Sequence, residues 1–300
     1  MKPLLLTLPG SRQLESPFGR ALGAETGAST IRRFPDGESY VRLDTSPEGR
    51  AVVVLASMDR PGPKILPLLL VLETARELGA RSVGLVAPYL CYLRQDRRFR
   101  DGEAVSARVF PRVLCDSLDW ITTVDPHLHR IASLSDVYPI PNRVVHAAPA
   151  IASWVAANVS QPLIVGPDSE SKQWVADVAR RAGAPYVVLE KQRRGDRDVE
   201  IRVPDVARWS AHTPVLVDDI ISTGRTMSET IGHLRRAGLR APFCIGVHAL
   251  FAEGALEELR AAGAEAVITC DTVPHDTNEI ELAPALARAT RDLLESADHG

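Results

Sequence analysis

The sequence lacks an apolar run long enough to cross a bilayer. Its longest, Ile65-Leu66-Pro67-Leu68-Leu69-Leu70-Val71-Leu72, is too short and holds a proline, so no membrane association is expected. It has only four cysteines, Cys91, Cys115, Cys244 and Cys270, and none form a C-x-x-C pair. Zinc sites usually draw ligands two to four residues apart, and that spacing is missing. The cysteines read as buried free thiols in a reducing compartment. There is no excess of one charge: 35 basic residues face 38 acidic ones, a net of −3. A general nucleic-acid binder would carry a basic surplus, so no nucleic-acid partner is expected. The start, Met1-Lys2-Pro3-Leu4, has only a brief apolar stretch and no small-residue cleavage site, so it does not read as a signal peptide. A cytoplasmic location is the expectation. Low-complexity tracts are absent as well.

What is present is material for a large core. Of 300 residues, 45% are hydrophobic, enough for about two domains of roughly 150 residues each. Apolar β-type runs alternate with helical ones along the chain. Strands are expected at 51–56, 82–87, 120–124, 163–166, 186–189, 214–217, 243–248 and 266–270. Helices are expected at 65–79, 106–118, 148–159, 172–182, 227–237 and 254–262. Glycines follow the last periodic residue at Ala237-Gly238 and Ala262-Gly263, a helix-stop signal. Alternation of this kind predicts an α/β fold with parallel sheets covered by helices on both faces. The proline-bearing stretch Tyr138-Pro139-Ile140-Pro141-Asn142 is the best boundary, which gives domains at 1–144 and 145–300. The tail from Ile280 to Ala297 reads as an amphipathic helix able to pack on either half.

The strongest chemical signal is Val215-Leu216-Val217-Asp218-Asp219-Ile220-Ile221-Ser222-Thr223-Gly224-Arg225-Thr226-Met227. An apolar strand is expected to stop at two acids. A short loop of small hydroxyl residues and a glycine follows, then a helix. Loop amides and a helix N-terminus point N–H groups at a phosphate. Ser222, Thr223 and Thr226 add hydroxyl donors, and two carboxylates at a strand tip accept hydrogen bonds from a ribose diol. The plain alternative is a strand-to-helix turn with an aspartate near the cap. Two adjacent acids directly after a buried strand are costly unless used, which favours the sugar-phosphate reading.

Two cationic clusters stand out in this slightly acidic chain. Arg94, Arg97, Arg98 and Arg100 form one; Lys191, Arg193, Arg194 and Arg197 form the other. Such clusters are commonly solvated faces. Two of them in one acidic protein fit a polyanion such as ATP, whose transfer chemistry is mostly positioning and charge neutralisation.

The stretch around Asp218 resembles the phosphoribosyl-diphosphate fingerprint of type I phosphoribosyltransferases and of ribose-phosphate diphosphokinases. Further segments resemble the second family. These are Phe34-Pro35-Asp36-Gly37-Glu38, Pro88-Tyr89 with Arg94-Gln95-Asp96-Arg97-Arg98-Phe99 and Gly102-Glu103-Ala104-Val105-Ser106-Ala107. Val124-Asp125-Pro126-His127, Gly166-Pro167-Asp168 and Lys191-Gln192-Arg193-Arg194 complete the series, all in family order. The resemblance implies two phosphoribosyltransferase-like domains, each a mostly parallel sheet flanked by helices. It implies transfer of the β,γ-diphosphoryl group of MgATP to O1 of ribose 5-phosphate, giving 5-phosphoribosyl 1-diphosphate and AMP.

Site roles follow from the resemblance. Lys191, Arg193 and His127 are the expected catalytic residues, and His127 and Asp168 the expected ligands of Mg2+. A histidine is an unusual ligand for that ion; on its residue type alone His127 reads equally as a capping or core histidine. His129 is expected to point elsewhere. Phe34, Asp36, Glu38, Arg94, Gln95 and Asp96 would bind ATP, with Phe34 stacking on the base from a neighbouring subunit. That arrangement requires at least a dimer. Asp218, Asp219, Ser222, Thr223, Gly224, Arg225 and Thr226 would bind ribose 5-phosphate.

The chain departs from the family pattern in places. Asp168-Ser169-Glu170-Ser171 stands where small glycine-rich residues are usual, Arg225 where a glycine is, and Gln192 replaces a basic residue. Ser222 matches only a subset. These departures favour a second reading, a weak or silent regulatory paralogue. A third, a nucleobase phosphoribosyltransferase, shares residues 218–226 but gives no reason for 34–38 and 94–106.

Overall fold

The computed structural model describes residues 1–168, 171–194, 198–202 and 207–297; at 190–194, 198–202, 207 and 297 it describes the backbone alone. The chain divides into two compact units. The first comprises Met1–Val145, Thr272–Pro274 and the chain from Leu282 onward; the second comprises His146–Asp271 and His275–Glu281.

The first unit is built on six parallel strands in the order β2-β1-β5-β6-β7-β8. These are β1 (Leu4–Thr7), β2 (Glu25–Thr26), β5 (Ala51–Leu55), β6 (Ser82–Ala87), β7 (Trp120–Val124) and β8 (Asn142–Val145). Val52, Val53, Val54 and Leu55 are all 0% exposed, so both faces of the central strand are covered. Helices α1 (Arg12–Leu22), α2 (Gly62–Glu77) and α3 (Ser106–Cys115) supply part of that cover, as parallel connections require. An antiparallel pair, β3 (Ser29–Arg33) and β4 (Ser39–Leu43), stands outside the sheet.

At the heart of this sheet Gly84 and Trp120 are register partners on β6 and β7. The indole lies over the glycine, and a methyl group at position 84 would overlap its ring. Trp120 is itself fully enclosed and has nowhere to go. Gly84→Ala is therefore expected to destabilise the first unit by about 3 kcal/mol, read as a lowered urea midpoint at unchanged slope. An unshifted midpoint would show that the indole repacks freely.

The second unit repeats the scheme with strands in the order β10-β9-β13-β14-β15-β16, again all parallel. They are β9 (Pro162–Gly166), β10 (Tyr186–Val188), β13 (Thr213–Ile221), β14 (Phe243–Ala249), β15 (Ala266–Cys270) and β16 (Asn278–Ile280). Helix α4 (Ala148–Asn158) leads into β9, and α5 (Lys172–Ala182), α6 (Arg225–Arg236) and α7 (Ala255–Ala262) lie in the connections between strands. A separate antiparallel pair, β11 (Glu190–Arg194) and β12 (Asp198–Arg202), sits between β10 and β13 in sequence.

Two expectations need correction. The last helix, α8 (Ala283–Ala297), falls in the first unit, whereas a boundary at 144/145 counts everything after it with the second. Its apolar stripe explains the choice: Leu286, Ala287, Thr290 and Leu293 are buried, and the helix packs on α1, β7 and β8. Arg291 also donates to the carbonyl of Ala21 at 2.7 Å, tying α8 to the end of α1. Second, the strand bearing the acid pair does not stop at the acids. β13 runs on to Ile221, with Asp218 opposite Gly246 and Ile221 opposite Ala249 on β14. The glycine makes this possible, since a Cβ at 246 would lie 2.6 Å from Cγ1 of Ile221. Among the described residues no helix is long and apolar enough to cross a membrane.

Candidate functional site

In the second unit β9 and β13 are neighbours, and the connections from their C-terminal ends leave toward opposite sides of the sheet. Such a switch point opens a crevice where α/β folds bind ligands. Asp168 follows β9, and Asp218 and Asp219 lie near the end of β13. The amide of Asp219 donates to Oδ1 of Asp218 at 3.0 Å. Burial pushes the Asp218 carboxyl well above the usual carboxylate range, and the charges of Asp219 and Asp168 push it further. The backbone hydrogen bond opposes this without overcoming it. A pocket that crowds three carboxylates in this way is prepared for ligands that favour their charged form, such as sugar hydroxyls or a hard cation.

The loop after β13 is shaped for close approach. Gly224 caps α6 with φ of 73°, a conformation that L side chains rarely adopt. A Cβ there would also crowd Leu259 and the carbonyl of Ala255 at 3.3 and 3.4 Å. Ser222 and Thr226 are partly buried, whereas Thr223 and Arg225 are exposed. First-turn amides of α6 point out of the helix end toward whatever binds at this loop. Asp168 shapes its own loop, with Ser171 donating its amide to Oδ1 at 3.3 Å and its hydroxyl to the Asp168 carbonyl at 2.7 Å. Ser169 and Glu170, which the sequence marked as unusual, lie outside the described residues.

Lys191 and Arg193 sit on β11, opposite Ile201 and Val199 of β12. Their side chains lie outside what is described, as does Arg197 altogether.

In the first unit Phe34 to Glu38 form the turn of the β3–β4 hairpin. Asp36 accepts the amide of Glu38 at 3.1 Å, and Gly37 donates to the carbonyl of Phe34 at 2.9 Å. Phe34 is 39% exposed. The guanidinium of Arg32 lies 4.7 Å from its ring centre and 4.2 Å from that of Tyr40. An exposed aromatic ring braced by a cation is a ready stacking surface.

The arginine loop, residues 94–103, leaves Arg94, Arg97, Arg98 and Arg100 exposed. Tyr92 just before it has φ of 63°, and Asp125 at the end of β7 has φ of 30°. Strained backbone of this kind gathers at functional loops, and nothing in residue type announces it. Asp96 differs from the expectation of a nucleotide contact. Its side chain is 3% exposed, and both carboxylate oxygens accept from Nη1 of Arg130 at 3.2 Å. It is turned into the protein, because a buried carboxylate needs a cationic partner. His127 is partly buried, and the ring of His129 lies 4.0 Å from its own, so His129 does not point elsewhere. The sequence reading also passed over Arg130 and the part played by Glu103, whose partners appear only once the loop is folded.

Among the described residues no three His, Cys, Asp or Glu side chains form a ready metal cage. The charges of Asp219 and Asp168 crowd the Asp218 carboxyl, and a hard dication on carboxylate oxygens such as those of Asp168 would relieve that crowding.

Comparison with known proteins agrees across most of the chain. Residues 4–117 match the family model for the N-terminal domain of ribose phosphate pyrophosphokinase, and residues 133–287 match that for the phosphoribosyl transferase domain. The chain is 36% identical over 290 residues to a ribose-phosphate pyrophosphokinase of Methanothermobacter thermautotrophicus, covering 96% of this chain and all of that one. It is 35% identical over 282 residues to that of Methanopyrus kandleri, covering 92% and 96%. Its fold is similar to the crystal structure of phosphoribosylpyrophosphate synthetase from Mycobacterium smegmatis, with a TM-score of 0.86, 26% identity, and 98% and 100% coverage.

Proposed function

The chain belongs to the ribose-phosphate pyrophosphokinase family, and from that premise we propose how its residues share the work of transferring a diphosphoryl group from ATP to ribose 5-phosphate. O1 of the sugar attacks the β-phosphorus. The bond from that phosphorus to the oxygen bridging to the α-phosphorus breaks, and AMP leaves with that oxygen. The proton of O1 is released, and 5-phosphoribosyl 1-diphosphate forms. Reactions of this kind need alignment and charge stabilisation more than covalent chemistry.

The observation that carries the reading is the second unit's switch-point crevice. There Asp218 and Asp219 accept the 2- and 3-hydroxyls of the sugar, and the 5-phosphate sits on the amides and hydroxyls of Ser222, Thr223, Gly224 and Thr226. Arg225, exposed at the start of α6, adds a cation to that phosphate. Ionised Asp218 is favoured once sugar hydroxyls donate to it, so binding and deprotonation reinforce one another.

Lys191 and Arg193 stabilise charge moving onto the β-phosphoryl oxygens. Arg94 and Gln95 hold ATP, and Phe34, Asp36 and Glu38 receive its base from a second copy of the chain, so the working form is at least a dimer. Magnesium would be held by Asp168, with His127 the further ligand that the family resemblance implies, and when bound would neutralise phosphate charge. Carboxylate oxygens suit it better than the His127 imidazole does. All four cysteines are thiols, none of them joined in a disulfide.

The test is product detection by mass spectrometry from ribose 5-phosphate, ATP and magnesium. Equal amounts of AMP and 5-phosphoribosyl 1-diphosphate are expected. A folded protein that releases no AMP would overturn the proposal in favour of a silent paralogue. Nucleotide formed from a free nucleobase and 5-phosphoribosyl 1-diphosphate would point to a transferase of the other kind.

A further inference from the structure

The arginine loop is gathered by one side chain that no part of the reaction scheme uses. Oε2 of Glu103 accepts the amide of Phe99 at 2.8 Å, the amide of Arg100 at 3.1 Å and Nε2 of Gln95 at 3.0 Å. Arg98 adds a fourth tie, donating from Nε to the backbone carbonyl of Glu103 at 3.0 Å. A single carboxylate oxygen thus joins the beginning of the loop to its tip. The turn that returns the chain to this point is closed by Glu103 itself, whose amide donates to the carbonyl of Arg100 at 3.3 Å.

The consequence reaches the cations. Fixing the amide of Phe99 fixes where its ring stands, and the Arg97 guanidinium lies 4.9 Å from the centre of that ring. The Arg130 guanidinium approaches the same ring at 5.9 Å while holding Asp96. Beyond Glu103 the loop is anchored at its base, where Ala107 donates to the carbonyl of Gln95 at 3.2 Å and Ser106 to that of Tyr92 at 2.9 Å. Those anchors stop short of the exposed segment 97–101, which is held by the Glu103 side chain together with the two bonds to the Glu103 backbone. Four exposed arginines within seven residues repel one another. By holding the backbone amides of Phe99 and Arg100, the Glu103 side chain sets where the side chains of the loop's tip leave the chain.

We infer that Glu103 is a positioning residue for ATP. It touches no substrate; it holds Gln95, Arg97, Arg98 and Arg100 in the arrangement that receives the triphosphate. The inference rests on the proposed function for the identity of the ligand, yet ATP affinity reads it without turnover. A loop ordered in advance spends less binding free energy on immobilising its side chains.

The experiment measures ATP binding by titration calorimetry, and steady-state kinetics beside it, for the full chain and two variants. Glu103→Ala is expected to weaken ATP binding about tenfold and raise KM for ATP by a similar factor. Its kcat and its KM for ribose 5-phosphate should stay within about twofold, with Tm unchanged. Glu103→Gln keeps a neutral acceptor oxygen and is expected to recover most of the lost affinity. Wild-type affinity in Glu103→Ala would overturn the inference. So would a variant in which both KM values rise together with a fallen Tm, since that marks a structural role alone. If the wild-type chain binds ATP but releases no AMP, the proposed function fails while the affinities still decide the role of Glu103.

Discussion

Replacing Lys191 by alanine is expected to lower kcat by about 10²- to 10³-fold while leaving KM for ribose 5-phosphate nearly unchanged. The argument is one of timing. A cation that meets the β-phosphoryl oxygens acts most strongly when the bond to the leaving oxygen is breaking and negative charge moves outward. Removing it takes away an interaction made mainly in the transition state, so kcat and kcat/KM for ATP should fall together. The sugar is held elsewhere, by the loop after β13, and should bind as before. Lys191 and Arg193 take alternate positions of β11, with Gln192 between them, and Arg193→Ala should show a milder form of the same loss. Lys191→Arg should recover only part of the rate, because a planar guanidinium does not replace a compact ammonium at one oxygen. Rapid-quench measurement of AMP separates the chemical step from product release. An alanine variant that forms AMP at the wild-type rate would remove Lys191 from the mechanism.

The alternation of β and α segments was legible because fully buried parallel strands such as Val52–Leu55 read as short apolar runs. Other elements hid for physical reasons. β1 is only Leu4–Thr7, too short to distinguish from a helix fragment by periodicity. α1 carries Pro17 inside it, and β3 and β4 are partly exposed strands rich in polar residues. The acid pair was visible as chemistry but misplaced as a strand end, since the room for Ile221 comes from Gly246 on a neighbouring strand. Candidate site residues were legible where a compact motif carries them, as at residues 34–38 and 218–226. Pairings across folded loops were not. Asp96 and Arg130 are 34 residues apart, and residue type alone gives no reason to join them. For α8 the stripe was clear but its partner was not, because an amphipathic face records that it will be covered and not by what.

Exchanging Asp218 for asparagine is expected to make the ligand-free protein more stable and the enzyme worse. The carboxyl is held well above its usual range by burial, by Asp219 and by Asp168. In the unfolded chain it ionises near its ordinary value, about 3.9. Between that value and the raised one, the folded protein binds more protons than the unfolded one. Stability from this group is therefore fully present below the ordinary carboxylate range and is lost as pH rises through the raised folded value. Above the ordinary carboxylate range the unfolded chain gains by ionising this group, while the folded surroundings oppose the same ionisation. Asparagine has nearly the same shape and no charge, so the second unit should melt about 3 °C higher. That advantage should shrink as the pH is lowered through the ordinary carboxylate range, below which the wild-type carboxyl is protonated in both states. Function moves the other way. The asparagine still meets a hydroxyl but loses the charge-assisted part of the bond, and KM for ribose 5-phosphate should rise about 10- to 100-fold. Thermal melts across pH, set beside kinetics, check both halves at once. A variant less stable than wild type at neutral pH, with an unchanged KM for the sugar, would mean that the crowded carboxylates serve the fold and not the ribose; the expected opposition of the two effects is what separates a binding group from a structural one.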